Sequence, residues 1–459
     1  MNIEAGLALG IALVGTLVAA LATRRVGWLT PIGIFTVVYT LGVPFRWGLL
    51  WAGAATPLAP WVVGPPTSQT LTLSLATSAF FQTLVVVSAL LWIGMNPDER
   101  PRPARVQVRW STDALVVVLA ALSVAASLAY LILMSRHTSG GHLGAAVTAL
   151  QSRVLGATAG AGHIALLIEI AIFANATVAI LWAHSRTARR YLPKLVGLVG
   201  FLAAFVATVV SGARGLTVIL IASVALGPAF LGLVRSRRLP RIRTVAAVVA
   251  VIAVVVLGLN VRIAVQGAEP RTRIWVTDIL VGVANSMPLV DAHGLAIDYE
   301  REKGATFGEN FLRIPSLVIP RGLWPAKPDA FGVEIRYTYW GDRLTGIPVG
   351  YLGEFIVAFG ILGVLPAVAF FLIVLVLLQR FRRAGSRFPE AWGALYVIGS
   401  LQLAGNALRS GLEVSLLRLA VLAALATIWR LLLAPLTLPS ATPRENSPSS
   451  TRGQLASVE

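Results

Sequence analysis

The chain has 459 residues, 56% of them hydrophobic and only 13% charged, with no cysteine and a formal net charge of +18. That composition excludes an ordinary soluble domain, and the missing cysteines exclude disulfides, thiolate nucleophiles and Cys-ligated metals. The positive charge does not point to nucleic acid, because the basic residues gather in short loops between apolar stretches, the pattern that orients a membrane protein.

Eleven stretches have the length and apolarity of bilayer-crossing helices: 5–22, 29–50, 71–93, 114–134, 164–183, 195–210, 216–234, 244–265, 351–378, 392–408 and 412–432. They predict an all-α, polytopic helical membrane protein. A transmembrane barrel would need alternating apolar and polar residues, whereas 244–259 is apolar on every side. No basic residue precedes the first span and no small-residue cleavage site follows it, so it is expected to be retained. The chain then divides into residues 1–266 with the first eight spans, a long polar segment at 267–350, the last three spans at 351–435, and a tail at 436–459. The tail is rich in Pro, Ser and Thr and is expected to be disordered.

Successive loops alternate in charge. Arg24 and Arg25, Arg100 to Arg109, Arg186 to Lys194, Arg235 to Arg243 and Arg380 to Arg387 fall on one side, while 51–69 on the other side has no lysine or arginine. The positive-inside rule makes the basic side cytoplasmic, with the N-terminus and segment 267–350 outside and the C-terminus cytoplasmic. Segment 267–350 holds ten of the twenty acidic residues, with seven arginines and two lysines. A spanning helix cannot cheaply carry such a load, so this segment is expected to stand outside the hydrocarbon and to carry the chemistry. Its partly apolar run 274–290, with Asp278 and Asn285, reads as an interfacial or re-entrant helix.

Three constellations stand out. Ser211-Gly-Ala-Arg214-Gly215 joins two spans in a tight turn; Arg214 is either a snorkelling helix-end arginine or a guanidinium fixed for bidentate phosphate binding. The stretch from Arg313 to Pro328 has four prolines, the cations Arg313, Arg321 and Lys327, and Trp324. It suits sugar stacking beside a phosphate, although Trp324 could equally anchor the loop at the headgroups. Gly350-Tyr-Leu-Gly353-Glu354-Phe places Glu354 at the outer mouth of a span, where it serves either a helix N-terminus or the chemistry.

These motifs, Ser-Gly-Ala-Arg-Gly, Pro-Arg-x-x-Trp-Pro-x-Lys-Pro and Gly-Glu-Phe followed by Phe-Gly, resemble those of bacterial oligosaccharide repeat-unit polymerases of the O-antigen polymerase type, related to O-antigen ligases. The resemblance covers about 195–432. It implies a metal-independent membrane glycosyltransferase of the inner (cytoplasmic) membrane, joining undecaprenyl-pyrophosphate-linked oligosaccharides into a surface polysaccharide on the outer face. It also implies a chain-length regulator protein as a partner beside the bilayer, and neither cofactor nor nucleic acid. By the resemblance, Arg214, Arg321, Lys327 and Arg409 match basic positions and Glu354 an acidic one. A pyrophosphate leaving group needs fixed cations, for which Arg214, Arg321 and Arg409 are the candidates, with Arg271 and Arg313 as helpers. The acceptor hydroxyl needs a base; the candidates are Glu354, or His293 with Asp291, although a lone histidine in a polar loop is more often a surface residue. No His-x-x-x-His spacing signals a metal, and no P-loop signals ATP-driven transport. The alternatives are an O-antigen ligase-type transferase, with the same arginines and another acceptor, and a lipid-linked sugar transporter or flippase, for which Glu169 is the clearest buried acid. Broken-helix repeats expected of a transporter are not seen in the sequence.

Overall fold

Helix starts and breaks follow from particular residues. Thr30 accepts a hydrogen bond from the Gly33 N–H at 3.2 Å and Pro31 takes the first helical position, so a helix begins there. Pro44 lacks the N–H that the ladder needs, and around it the helix loosens into a π-helical turn, Leu41–Phe45.

The computed structural model describes residues 3–26, 30–54, 69–95, 112–151, 162–184, 191–212, 214–231, 281–282, 287–314, 331–341, 346–347, 349–384, 389–406, 408 and 411–433, with single positions between 319 and 329. The helices are α1 (Ile3–Val26), α2 (Pro31–Thr40), α3 (Arg46–Trp51), α4 (Gln69–Met95), α5 (Thr112–Ser139), α6 (Leu143–Gln151), α7 (Gly162–His184), α8 (Tyr191–Val210) and α9 (Arg214–Phe230). After the polar segment begins come α10 (Leu289–Lys303), α11 (Glu309–Leu312), α12 (Phe331–Trp340), α13 (Gly350–Phe359), α14 (Val364–Ala384), α15 (Pro389–Leu401), a second π-helical turn at Gln402–Asn406, and α16 (Leu412–Leu433). Among the described residues, seven helical stretches are long and apolar enough to cross a membrane and three shorter apolar helices accompany them. The chain is an all-α, multi-pass membrane protein. These ten coincide with ten of the eleven predicted spans; 244–265, most of 274–290 and the tail 436–459 lie outside the described residues.

The helices form two packed groups. One core joins α1, α2, α3, α4 and α14 with α10 and α13; the other joins α5, α7, α8, α9, α15 and α16. Small residues let the second group close up. A Cβ on Gly200 would sit 3.1 Å from Ala120 Cα, and Ser123 donates to the Gly200 carbonyl at 2.9 Å. Asn175 donates to Ser123 Oγ at 2.7 Å in the same layer. In the first group a small apolar cavity of ≈ 70 Å³ is lined by Thr30, Pro31, Trp92 and Gln379 among others. It gathers at one end of the bundle the three span ends that adjoin the arginines at 24–25, 100–109 and 380–387, as the alternation of loop charge predicts.

The predicted span 351–378 is corrected by its aromatic contacts. Tyr351 stacks on Phe371 with centroids 6.1 Å apart, and Phe355 lies 5.9 Å from Phe370. In one straight helix Tyr351 and Phe371 would be about 30 Å apart. The helix instead breaks at Gly360 (φ 64, ψ −157), and α13 folds back along α14. The 21 residues of α14 are long enough to cross alone, at about 1.5 Å each.

Candidate functional site

Helix α10 comes from the polar segment yet packs inside the bundle, against α4, α13 and the Leu41–Phe45 turn. Within that segment, Leu289–Ile297 are all buried inside the protein. A hydroxyl stripe on α4 makes this possible. Thr70, Ser74 and Ser78 recur every four residues, so they share one helix face. Thr70 donates to Asp298 Oδ1 at 2.8 Å, Ser74 donates to the Val290 carbonyl, and Ser78 Oγ lies 2.7 Å from His293 Nδ1. Buried polar groups must find partners, and the stripe supplies them for α10.

Asp291 and His293 are both buried but face different partners. Arg46, raised onto α10 by the π-helical turn before it, grips Asp291 through Nη2 at 2.6 Å and Nε at 3.2 Å. The side chains of this pair are 2% and 0% exposed. The pairing of Asp291 with His293 as one base is therefore corrected: residues two apart on a helix do not face each other. His293 is fixed through Nδ1 by Ser78, near Tyr39, with ring centroids 6.3 Å apart. Burial alone pushes its pKa down to about 3, so the imidazole is neutral at physiological pH. Its Nε2 looks toward Gly350: a Cβ built there would be 3.7 Å from Nε2.

Gly350 opens α13 with φ +68, and a Cβ on it would fall 1.9 Å from the Leu408 carbonyl oxygen. Gly350→Ala is expected to destabilise the protein by roughly 1–3 kcal/mol through the left-handed backbone alone, with more from displacing Leu408. Thermal unfolding in detergent checks this; an unchanged midpoint would contradict the geometry. Four residues on, Glu354 is buried and accepts the Leu412 N–H at 3.0 Å, while its own carbonyl accepts from Asn310 Nδ2 at 3.1 Å. The expectation that Glu354 opens a span is corrected with the span itself, since Glu354 lies midway along the folded-back α13 and meets the start of α16. Leu408 and Leu412, the described leucines on either side of this point, are buried. Gly405 faces Ile34 and Val38, in the half of the 31–51 stretch away from Trp51.

The remaining predicted residues distribute as follows. Arg313 pairs with Glu334, which also accepts from the Tyr299 hydroxyl at 2.8 Å; burial, then Glu334, pushes that hydroxyl's pKa up and keeps it a donor. Trp324 is 40% exposed. Arg214 is the first residue of α9, its side chain outside the described part. Arg271, Arg321, Lys327 and Arg409 lie outside the described residues, but Leu408 and Gly411 on either side of Arg409 abut Gly350 and Glu354. Thus His293, Gly350, Glu354, Leu408 and Gly411 come together, while Asp291 turns to Arg46 and Arg313 to Glu334. Among the described residues, no three of His, Asp and Glu are gathered as a metal site would need.

No family model, no curated protein and no solved structure matches this chain. The likeness to repeat-unit polymerases rests on the motifs quoted above.

Several site residues escaped the reading of the sequence. Arg46 is a charge inside an apolar span, a signal in itself. Thr70, Ser74, Ser78 and Gln82, spaced by four, mark a polar face on α4. The Gln82 amide nitrogen and the Tyr351 hydroxyl are buried with no hydrogen-bond partner among the described residues. In the second group, Glu169 is held by Arg418 Nε at 3.1 Å and by Gln402 Nε2 at 3.3 Å from each oxygen. No local pattern announces that triad, because its members come from α7, the second π-helical turn and α16.

Proposed function

We propose that this protein is an inner-membrane glycosyltransferase that polymerises undecaprenyl-pyrophosphate-linked oligosaccharide repeat units into a cell-surface polysaccharide. In this reading the basic-loop end faces the cytoplasm, the N-terminus and segment 267–350 face outward, and the reaction takes place on the outer side. A chain-length regulator is the expected protein partner.

One observation supports the reading most. A neutral histidine from the polar segment is held inside the bundle, against Gly350 and the chain that bears Arg409. With its proton on Nδ1, donated to Ser78, His293 presents Nε2 as an acceptor. The acceptor sugar's hydroxyl oxygen then attacks the anomeric carbon and its proton passes to Nε2. The bond from that carbon to the diphosphate breaks, and the diphosphate leaves with the electron pair. Arg214, Arg321 and Arg409, with Arg271 and Lys327 as helpers, neutralise it. Arg313 is assigned to Glu334 rather than to the diphosphate, Asp291 to Arg46, and Trp324 to stacking on the sugar.

The experiment is Arg214→Ala and Arg321→Ala, each scored for polymer length against accumulation of single lipid-linked units. Each is expected to lower polymerisation about 10²–10³-fold. Lysine is not expected to restore it, because an ammonium lacks the guanidinium fork. Normal polymer from both alanine variants at normal expression would overturn the assignment, as would tags placing 267–350 in the cytoplasm.

A further inference from the structure

The segment from Gln402 to Leu412 is held at both ends by carboxylates from other helices. At its start Gln402 donates to both Glu169 oxygens at 3.3 Å; at its end the Leu412 N–H donates to Glu354 Oε1 at 3.0 Å. The first N–H groups of a helix have no acceptor within it, and a carboxylate both accepts from them and suits the positive end of the dipole. Gly411 (φ +85) leaves no slack: a Cβ there would be 2.6 Å from the same Glu354 oxygen. Three residues earlier, the Leu408 carbonyl abuts Gly350, next to His293 Nε2. Leu408 and Gly411 both therefore lie against α13.

We infer that Glu354 is a positioning residue: by accepting the Leu412 N–H it fixes the start of α16, three residues after Arg409 in the sequence, against α13, and it does not take the acceptor sugar's proton. The inference rests on the polymerase reading above. It separates two roles that a buried carboxylate can play. An acceptor of one backbone N–H can be replaced by an amide oxygen, whereas a proton acceptor cannot.

The test uses the full-length protein in membranes and detergent. Glu354→Gln is expected to keep polymerisation within about tenfold, the difference between a charge-assisted and a neutral hydrogen bond, with an unchanged pH profile. Glu354→Ala and Gly411→Ala are expected to lose about 100-fold, as for a misplacement near 1 Å. Gly411→Ala leaves the carboxyl intact, so its loss would not be that of a base. A second readout is independent of activity. The chain has no cysteine, so Arg409→Cys gives a single thiol whose maleimide labelling rate reports on the start of α16. In that background Glu354→Gln should label at the parent rate, and Glu354→Ala and Gly411→Ala several-fold faster. Glu354→Gln as inactive as Glu354→Ala but with parental labelling would overturn the inference in favour of a base. Full activity in Gly411→Ala, or parental labelling in Glu354→Ala, would also overturn it. If Glu354→Ala does not yield a monodisperse protein, the other two variants decide. If the unmodified protein makes no polymer at all, the polymerase reading falls, while labelling still decides whether Glu354 holds the start of α16.

Discussion

Replacing His293 by glutamine is expected to lower polymerisation by about 10²–10⁴-fold, the usual contribution of a general base. Glutamine is the informative substitute because its amide can still bond to Ser78 and fill the buried space, so the loss is chemical. The check is polymer formed per folded protein in membranes, with single lipid-linked units accumulating in proportion. Polymerisation within a fewfold of the parent would remove His293 from the mechanism. The pH dependence adds a second readout. A solvated histidine loses its lone pair near 6.5, but burial holds His293 neutral down to about 3. Activity should therefore show no loss centred near 6.5, and a limb there would mean that the imidazole is wet in the working enzyme. Stability responds to the same shift. Between pH 6.5 and about 3 the unfolded histidine binds a proton that the folded one refuses, so stability is full above 6.5 and falls as pH drops through this window. In His293→Gln that part of the pH dependence should vanish from thermal unfolding curves.

Breaking the Arg46–Asp291 pair is expected to cost the fold roughly 3–5 kcal/mol, because either partner alone is a buried charge without its counter-ion. Both side chains are almost wholly excluded from solvent, which puts the pair in the range where desolvation decides the outcome. Asp291 also lies in the first turn of α10, where the helix dipole favours an anion, so its removal has a second cost. Asp291→Leu and Arg46→Met are each predicted to lower the unfolding midpoint in detergent steeply. The double variant should recover most of the loss, since apolar side chains of similar size need no pairing. A double variant as unstable as the sum of the singles would show that the two act independently. The bond also ties the polar segment into the first helix group, so α10 should become accessible to protease in the single variants before the spans do.

How far the site could be read in advance depended on the range of the physics at each residue. Gly350 and Glu354 are legible because each stands at a break in an apolar run, and such breaks are local. Arg46 and the Thr70–Ser74–Ser78 stripe were legible in principle, as polar residues at helical spacing, but their meaning depends on what they face. The partner, α10, lies more than 200 residues away, as the Arg46–Asp291 separation of 245 shows. Glu354 was read as a mouth residue because α13 and α14 form one continuous apolar stretch; apolarity fixes length but not direction, and the reversal at Gly360 is a backbone event. Arg313 reads as one more phosphate-binding cation because charge in sequence says nothing about pairing; in the fold it pairs with Glu334, 21 residues on.

By itself, the order of amino acids determined that this is an all-helical membrane protein and where most of its apolar spans fall. Those properties follow from free energies of transfer summed over short windows, which need no neighbour. Only tertiary structure decided that α10 enters the bundle, that α13 doubles back, and that Asp291, His293 and Glu354 answer to Arg46, Ser78 and the start of α16. A buried polar group is stable only with its particular partner, and helices brought together from distant parts of the chain choose that partner by packing.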